Sequence, residues 1–225
     1  MLAVADSDVD NARATAADLG KDETHAAFGC DVTSEAEAER LFREVEAGLG
    51  PVSILVTCAG VLISHGVHRT GIADTTLADW RRTFDVNATG TFLMLREMLR
   101  RRRAEPVEHG RIITISSVAA HVGGFRGSAA YSASKGAVLT LTKTAAGEGA
   151  DIGVTANCIA PGMVESRMLR QVVPSGQEGP AVLNVPAGRV GSPGEIGALA
   201  SYLASPGSAF MTGATLDING GQHFR

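Results

Sequence analysis

The 225-residue chain is poor in aromatics (4%), has only three cysteines, and carries no excess of positive charge. Cys30, Cys58 and Cys158 are too few and too scattered for a disulfide framework, and none stands in a metal-ligand cluster with neighbouring His or Cys. A reduced, cytoplasmic protein without a metal is therefore expected. A formal charge of −4 and a pI near 5.9 supply no field that would condense on a phosphate backbone, which argues against nucleic acid as a partner. The one basic run, Arg100 to Arg103, reads as a solvated helix end, where cations complement the macrodipole. No apolar run approaches the roughly 18 residues of a membrane span, so no membrane association is expected. Met1 is followed by Leu-Ala-Val-Ala-Asp, which looks like a strand rather than a leader with a cleavage site.

What is abundant is small and apolar. Hydrophobic residues make up 44% and glycines number 27, a balance typical of a globular chain with many tight turns. The length suits one continuous core, so a single domain over residues 1–225 is expected. Short β-rich runs alternate with helical patterns, which favours a parallel sheet built from crossover units. The candidate strands are Leu2 to Ala5, His25 to Cys30, Ser53 to Thr57, Arg111 to Ser116, Val154 to Ile159 and Thr215 to Ile218. Helices are expected from Val9 to Leu19 and from about Ser34 to Gly48, both with glycine stops. Thr76-Leu-Ala-Asp79 and Ser192-Pro-Gly-Glu195 match capping boxes and should open two more. The stretch from about Val172 to Gly191, rich in Pro and Gly, is the candidate for a mobile substrate lid.

Chemistry concentrates in Tyr131-Ser-Ala-Ser-Lys135, at the start of an Ala-rich helical run that sets the i and i+4 side chains on one face. A tyrosine is a poor base near neutrality, but a nearby ammonium favours the phenolate, and Lys135 would supply it. Upstream, the apolar run Ile112-Ile-Thr-Ile115 leads into Ser116-Ser117, and ligands in parallel sheets gather beyond the carboxyl ends of strands. A serine there can donate to a substrate oxygen.

With these residues in order, the chain resembles the short-chain dehydrogenase/reductase family through nearly its whole length. Asp31-Val32 resembles the family's adenine-pocket pair, Cys58-Ala59-Gly60 its Asn-Ala-Gly turn, and Asn87-Ala-Thr-Gly90 the segment with its helix-borne active-site asparagine. Ser117, Tyr131 and Lys135 fall on the catalytic positions. Pro161-Gly162-Met-Val164-Glu-Ser166 is similar to the turn that contacts the nicotinamide, while Gly188-Arg-Val-Gly-Ser-Pro and Thr212-Gly213 match C-terminal landmarks. The resemblance implies an α/β, Rossmann-like doubly wound parallel sheet. It also implies a nicotinamide-dependent oxidoreductase for an alcohol or carbonyl, working by a Ser-Tyr-Lys mechanism in which Asn87 positions a water relay. Asp6, at the end of the first visible strand, occupies a place where the family often puts an acidic residue against the ribose hydroxyls, which implies NAD over NADP. A homodimer or homotetramer is expected, paired through the helices at about Leu77 to Arg103 and Ala129 to Ala150.

Three departures stand out. Cys58 replaces an asparagine that helps hold neighbouring strands, and a thiol is the weaker hydrogen-bond partner. The interval from Ser117 to Tyr131 is one residue longer than the commonest spacing, which a bulge in Val122 to Gly127 would absorb. The family's Thr-Gly-x-x-x-Gly-x-Gly turn, with its strand and helix, has no counterpart, so the fold is expected to be N-terminally truncated by its first β–α unit. That unit's strand is central in the family's sheet, and its loss strands two backbone edges. Either the second strand shifts beside the fourth, or another chain supplies a strand, or the N-terminal region packs in a new way. The rival to the oxidoreductase reading is a family scaffold that has lost dinucleotide binding and serves as a non-redox acid–base catalyst or binding subunit. His65, His68 and His121 are left outside the site, as solvated loop residues or substrate neighbours without a base or metal partner.

Overall fold

The computed structural model describes residues 1–19, 25–63, 70–123 and 129–224. Its strands are β1 (Leu2–Asp6), β2 (His25–Gly29), β3 (Ile54–Thr57), β4 (Gly110–Ile115), β5 (Val154–Pro161) and β6 (Thr215–Ile218). Each lies within a residue or two of an expected apolar run. Helices fill the intervals: α1 (Val9–Asp18), α2 (Glu35–Leu49), α3 (Leu77–Phe84), α4 (Gly90–Ala104), α5 (Ala119–Val122), α6 (Ala129–Gly149), α7 (Arg167–Arg170), α8 (Gly179–Val182) and α9 (Pro193–Ala204). Ser34 caps α2 by accepting from Glu37 N. Ser192 and Glu195 close a complete capping box at α9, with Pro193 in the first turn where its missing N–H costs nothing. At α3, Thr76 Oγ1 accepts from Asp79 N at 3.0 Å and donates to the Asp79 carboxylate at 2.8 Å, so serine-type capping is present with the acid turned onto the hydroxyl.

All strand pairs are parallel, and the fold is a Rossmann-like α/β arrangement in two sheets, β1-β2 and β3-β4-β5-β6. Alternation along β4 sorts the core onto both faces. Ile112 points into a cluster with Leu93, Met98, Ala145 and Ala156, under α4 and α6. Ile113 points the other way, to Ile159 and Leu203 under α9. Strands covered on both sides read as continuous apolar runs, as Ile112-Ile-Thr-Ile115 does.

Among the described residues no strand joins β1 to β3. The shift of the second strand beside the fourth is therefore not adopted, and Ile54 and Val56 on β3 stay 41% and 42% exposed. The N-terminal pair is held instead through its helix. Phe42 and Val45 of α2 join the cluster of Met94, Met98 and Leu99 on α4. Glu46 of α2 takes Arg101 at 2.6 Å and also pairs with Arg102, and Glu35 takes Arg96 at 2.6 Å. This corrects the expectation of a solvated arginine run: Arg100 and Arg103 are half-exposed or more, but Arg102 is fully buried against α2. A second clasp is steric. A Cβ at Gly90 would stand 2.6 Å from Val32 Cγ2, so the start of α4 accepts the loop after β2 only as glycine.

Candidate active site

Helix α6 lies close on the sheet because its inner face is small: Ala130, Ser134, Val138, Thr142 and Ala145 are buried. Ser116 Oγ donates to Lys135 O at 2.8 Å, and the Thr114 and Thr142 hydroxyls meet at 2.6 Å. These contacts hold the N-terminal two-thirds of α6 against the carboxyl end of β4. Lys135 Nζ then donates to Ile115 O at 2.9 Å and stands 5.9 Å from the centroid of the Tyr131 ring. Burial pushes the Lys135 pKa down to about 8, opposed by the Cys158 and Cys58 thiols. At neutral pH the ammonium still predominates.

Tyr131 departs from the expectation of an activated phenolate. Its pKa is raised, because burial penalises the phenolate more than the Ser117 hydroxyl beside it helps. Lys135 spends its charge on Ile115 O. The phenol is thus an acid at neutral pH. Ser117 Oγ also accepts from Ala119 N at 3.2 Å, which orients it at the end of β4.

Asn87 sits in a π-helical turn, Asp85–Thr89, between α3 and α4, where the sequence suggested one continuous helix. Such single turns inside helices are frequent at functional sites. Fully buried, Asn87 accepts from Val61 N at 2.8 Å and donates to Val61 O at 3.0 Å and to Ser134 Oγ at 2.9 Å. Ser134 was not singled out from the sequence, though its place three residues after Tyr131 on the same helix was a signal. Gly60 packs where a Cβ would lie 3.3 Å from Lys135 Nζ and 3.5 Å from Asn87 Oδ1. Asn87, Lys135 and the Gly60 turn therefore converge.

Gly60, Lys135, Tyr131 and Ser117 open on a cleft of about 950 Å³, with Asn87 buried behind it. Cys58, Gly60, Ser117, Tyr131 and Lys135 line it on the sheet side, and Pro161, Gly162, Val164 and Ser166 line it after β5. Burial raises the Cys58 thiol, and the Lys135 ammonium partly offsets this. Ala59 is exposed between Cys58 and Gly60. Gly162 has no room for a side chain, since a Cβ would meet Asn219 Cα at 2.8 Å. Met168, Leu169 and Val172 add an apolar wall; only Val172 falls within the expected lid of Val172 to Gly191, and Met168 and Leu169 were not singled out from the sequence. Val173 and Val185 of that stretch are buried.

Asp6 and Asp31 stand apart from the cleft lining, at the carboxyl ends of β1 and β2. Asp31 Oδ1 accepts from Thr33 N and Thr33 Oγ1, and those bonds hold its carboxyl below the usual range. It braces the turn that seats Val32 against Gly90. His121 has a carboxylate neighbour after all: its Nε2 lies 3.7 Å from Asp217 Oδ1, and its ring stacks on His223 at 5.7 Å. His65, His68 and most of the Val122-to-Gly127 interval lie outside the described residues. Among the described residues no His, Cys, Asp and Glu cluster is arranged for a metal, and no helix is long and apolar enough to cross a membrane.

The family model described as enoyl-(acyl carrier protein) reductase matches residues 1–223. An acetoacetyl-CoA reductase of Shinella zoogloeoides is 35% identical over 199 residues, 88% of this chain and 79% of that protein. A protein of Xanthobacter autotrophicus named inactive 2-(S)-hydroxypropyl-CoM dehydrogenase 2 is 36% identical over 231 aligned residues, covering 98% of this chain and 94% of its own length. The crystal structure of a short-chain dehydrogenase/reductase from Brucella melitensis, described as glucose/ribitol dehydrogenase, superposes with a TM-score of 0.88 at 29% identity, over 99% of this chain and 86% of the other. With the cleft at the carboxyl ends of a parallel sheet, these likenesses make the chain a member of the short-chain dehydrogenase/reductase family, whose oxidoreductases use nicotinamide cofactors.

Proposed function

We propose that this chain is an oxidoreductase that interconverts an alcohol and a carbonyl with a nicotinamide cofactor at Tyr131. The observation that carries the reading is that Ser117, Tyr131 and Lys135 line one cleft, with Asn87 buried behind them against the Gly60–Val61 turn. The cofactor fits the residues present: the tight Gly60 cradle against Lys135 and Asn87 leaves its outer side open to the cleft, and Pro161, Gly162, Val164 and Ser166 face it. Lys135, Tyr131, Cys58, Ala59 and Gly60 would hold its nicotinamide ribose half, and Asp6, Asp31 and Val32 its adenosine half. When bound, it supplies or accepts the hydride.

The chain's own groups handle the oxygen. Ser117 donates a hydrogen bond to the carbonyl oxygen and polarises it. Tyr131, held as a protonated phenol by its surroundings, gives that oxygen its proton. Lys135, still largely an ammonium at neutral pH, faces the phenolate so formed. Asn87 orients a water relay that returns the proton. Asp6 sets NAD ahead of NADP, because a carboxylate repels a 2′-phosphate. The working molecule is a single-domain, cytoplasmic homodimer or homotetramer. Relatives named for acetoacetyl-CoA make a 3-oxoacyl thioester the first substrate to offer.

The test is NADH oxidation with acetoacetyl-CoA, beside a fluorescence titration of NADH. Tyr131→Phe should lose roughly a thousandfold in turnover while still binding NADH, since a positioned acid is worth about 10² to 10⁴ in rate. Unchanged turnover in that variant, or no binding of either NADH or NADPH to the native chain, would overturn the reading.

A further inference from the structure

The chain leaves the sheet after β5 and comes back at one point. Val164 bridges Gly191 in parallel register, Gly191 N donates to Met163 O at 2.9 Å, and Glu165 N donates to Gly191 O at 2.9 Å. Everything between is an excursion with paired ends, and it carries Met168, Leu169 and Val172 into the cleft wall. Few regular elements support it: α7 and α8 have four residues each. Its cross-tie is one side chain. Arg170 Nε donates to Glu165 Oε1 at 2.7 Å, Nη2 to the other oxygen of the same carboxylate, and Nη1 to Glu178. Glu178 in turn accepts from Gly176 N at 3.1 Å. The guanidinium thus clamps the outgoing stem to the far loop, with a two-pronged grip on Glu165. Glu165 itself stands at the cleft beside the apolar Met168, Leu169 and Val172, and its carboxylate is turned onto the Arg170 fork.

We propose that Arg170 is a positioning residue that fixes the Met168–Val172 wall against the substrate by bracketing Glu165 and Glu178. This rests on the oxidoreductase reading for its substrate, and it makes the site selective for a carbonyl compound with an apolar chain. Arg170 touches no reacting atom. Its pKa is raised, and those of Glu165 and Glu178 are lowered, so the bracket stays ionised through the neutral range. The competing account is a surface decoration: side-chain exposures of 26%, 47% and 27% are those of pairs that often contribute little. Two carboxylates drawn from separate segments onto one fork distinguish the bracket from an isolated pair.

Hydrogen exchange on Arg170→Gln decides the structural half without turnover. Peptides covering 163–185 should exchange several-fold faster, and those of β4 and β5 should not change. Steady-state kinetics with acetoacetyl-CoA decide the positioning half: KM should rise about tenfold with kcat within about twofold, the pattern of binding lost equally from ground state and transition state. Arg170→Lys should fall between, and Glu178→Gln should add nothing on top of Arg170→Gln. Unchanged exchange in 163–185 overturns the bracket. Faster exchange with an unchanged KM overturns the positioning role. A native chain without turnover would sink the oxidoreductase reading while the exchange result still judged the bracket.

Discussion

The two sheets share parallel pairing and similar strand sequences, yet their burial differs sharply. In β4 five of six residues are buried and in β5 six of eight, whereas β1 and β2 contain no fully buried residue. Val4 in β1 and Ile112 in β4 both sit in apolar runs. What separates them is neighbours: β4 has a strand on each side and helices on both faces, and β1 has one strand. Apolar runs mark strands, and burial follows from the company those strands keep. The chemistry divides along the same line. Ser117, Tyr131 and Lys135 hang on the buried sheet, and Asp6 and Asp31 stand on the exposed pair.

The sharpest way to test that division is paired truncation. Ile112→Ala should cost about 3 kcal/mol in urea unfolding, within the range for emptying a closed core, and Val4→Ala about 1 kcal/mol or less. Equal losses would mean that β1 is as deeply held as β4. Next in size comes the buried ammonium of the inner sheet. The folded pKa of Lys135, about 8, lies below its ordinary 10.5, so between those values the native state binds fewer protons than the unfolded one. Native stability therefore rises with pH from about 8 to 10.5, and the full penalty stands below 8. Lys135→Met should accordingly raise the unfolding free energy at pH 7 by on the order of 2 kcal/mol, with the gain shrinking above pH 8. Melts at pH 7 and pH 10 read it, and a variant less stable than the native chain at pH 7 would contradict the sign. The smallest effect belongs to the outer pair. Asp6→Ala should narrow the NADH preference about fivefold with unchanged melting, as an exposed side chain at a strand end can alter a ligand without altering the core. Tighter NADPH than NADH binding by the native chain would refute the assignment.

Much of this was legible in the residues. The strands announced themselves as short apolar runs between turn residues, β-branched in β3 and β4 and alanine-rich in β1 and β2, and Ser192 with Glu195 forms a cap whose partners lie within one turn. Tyr131, Lys135, Ser117 and Asn87 were named from spacing and resemblance; the first three line one cleft, and Asn87 lies buried behind it, bonded to Val61 and Ser134. What escaped depends on contacts distant in sequence. The burial of Arg102 is set by Glu46, and the π-helical turn at Asn87 goes with hydrogen bonds to Val61 and Ser134. The direction of the Tyr131 shift was misjudged because a charge four residues away was weighed and the surrounding protein was not. Asp31 was named for a cofactor pocket, and its bonds to Thr33 add a bracing role within its own turn that the sequence did not suggest.

The pairing of Val164 with Gly191 has a consequence for how such a molecule can change. A segment whose two ends already meet can be lengthened, shortened or exchanged without moving its anchor, and doubling a flexible loop costs only about 0.6 kcal/mol in closure entropy. The stretch between them is a cassette: drift within it can rewrite which molecules are admitted while Tyr131 and Lys135, anchored on α6, feel nothing. New shapes of the cleft wall can therefore arise by grafting at those two residues, with the sheet and α6 left as inheritance.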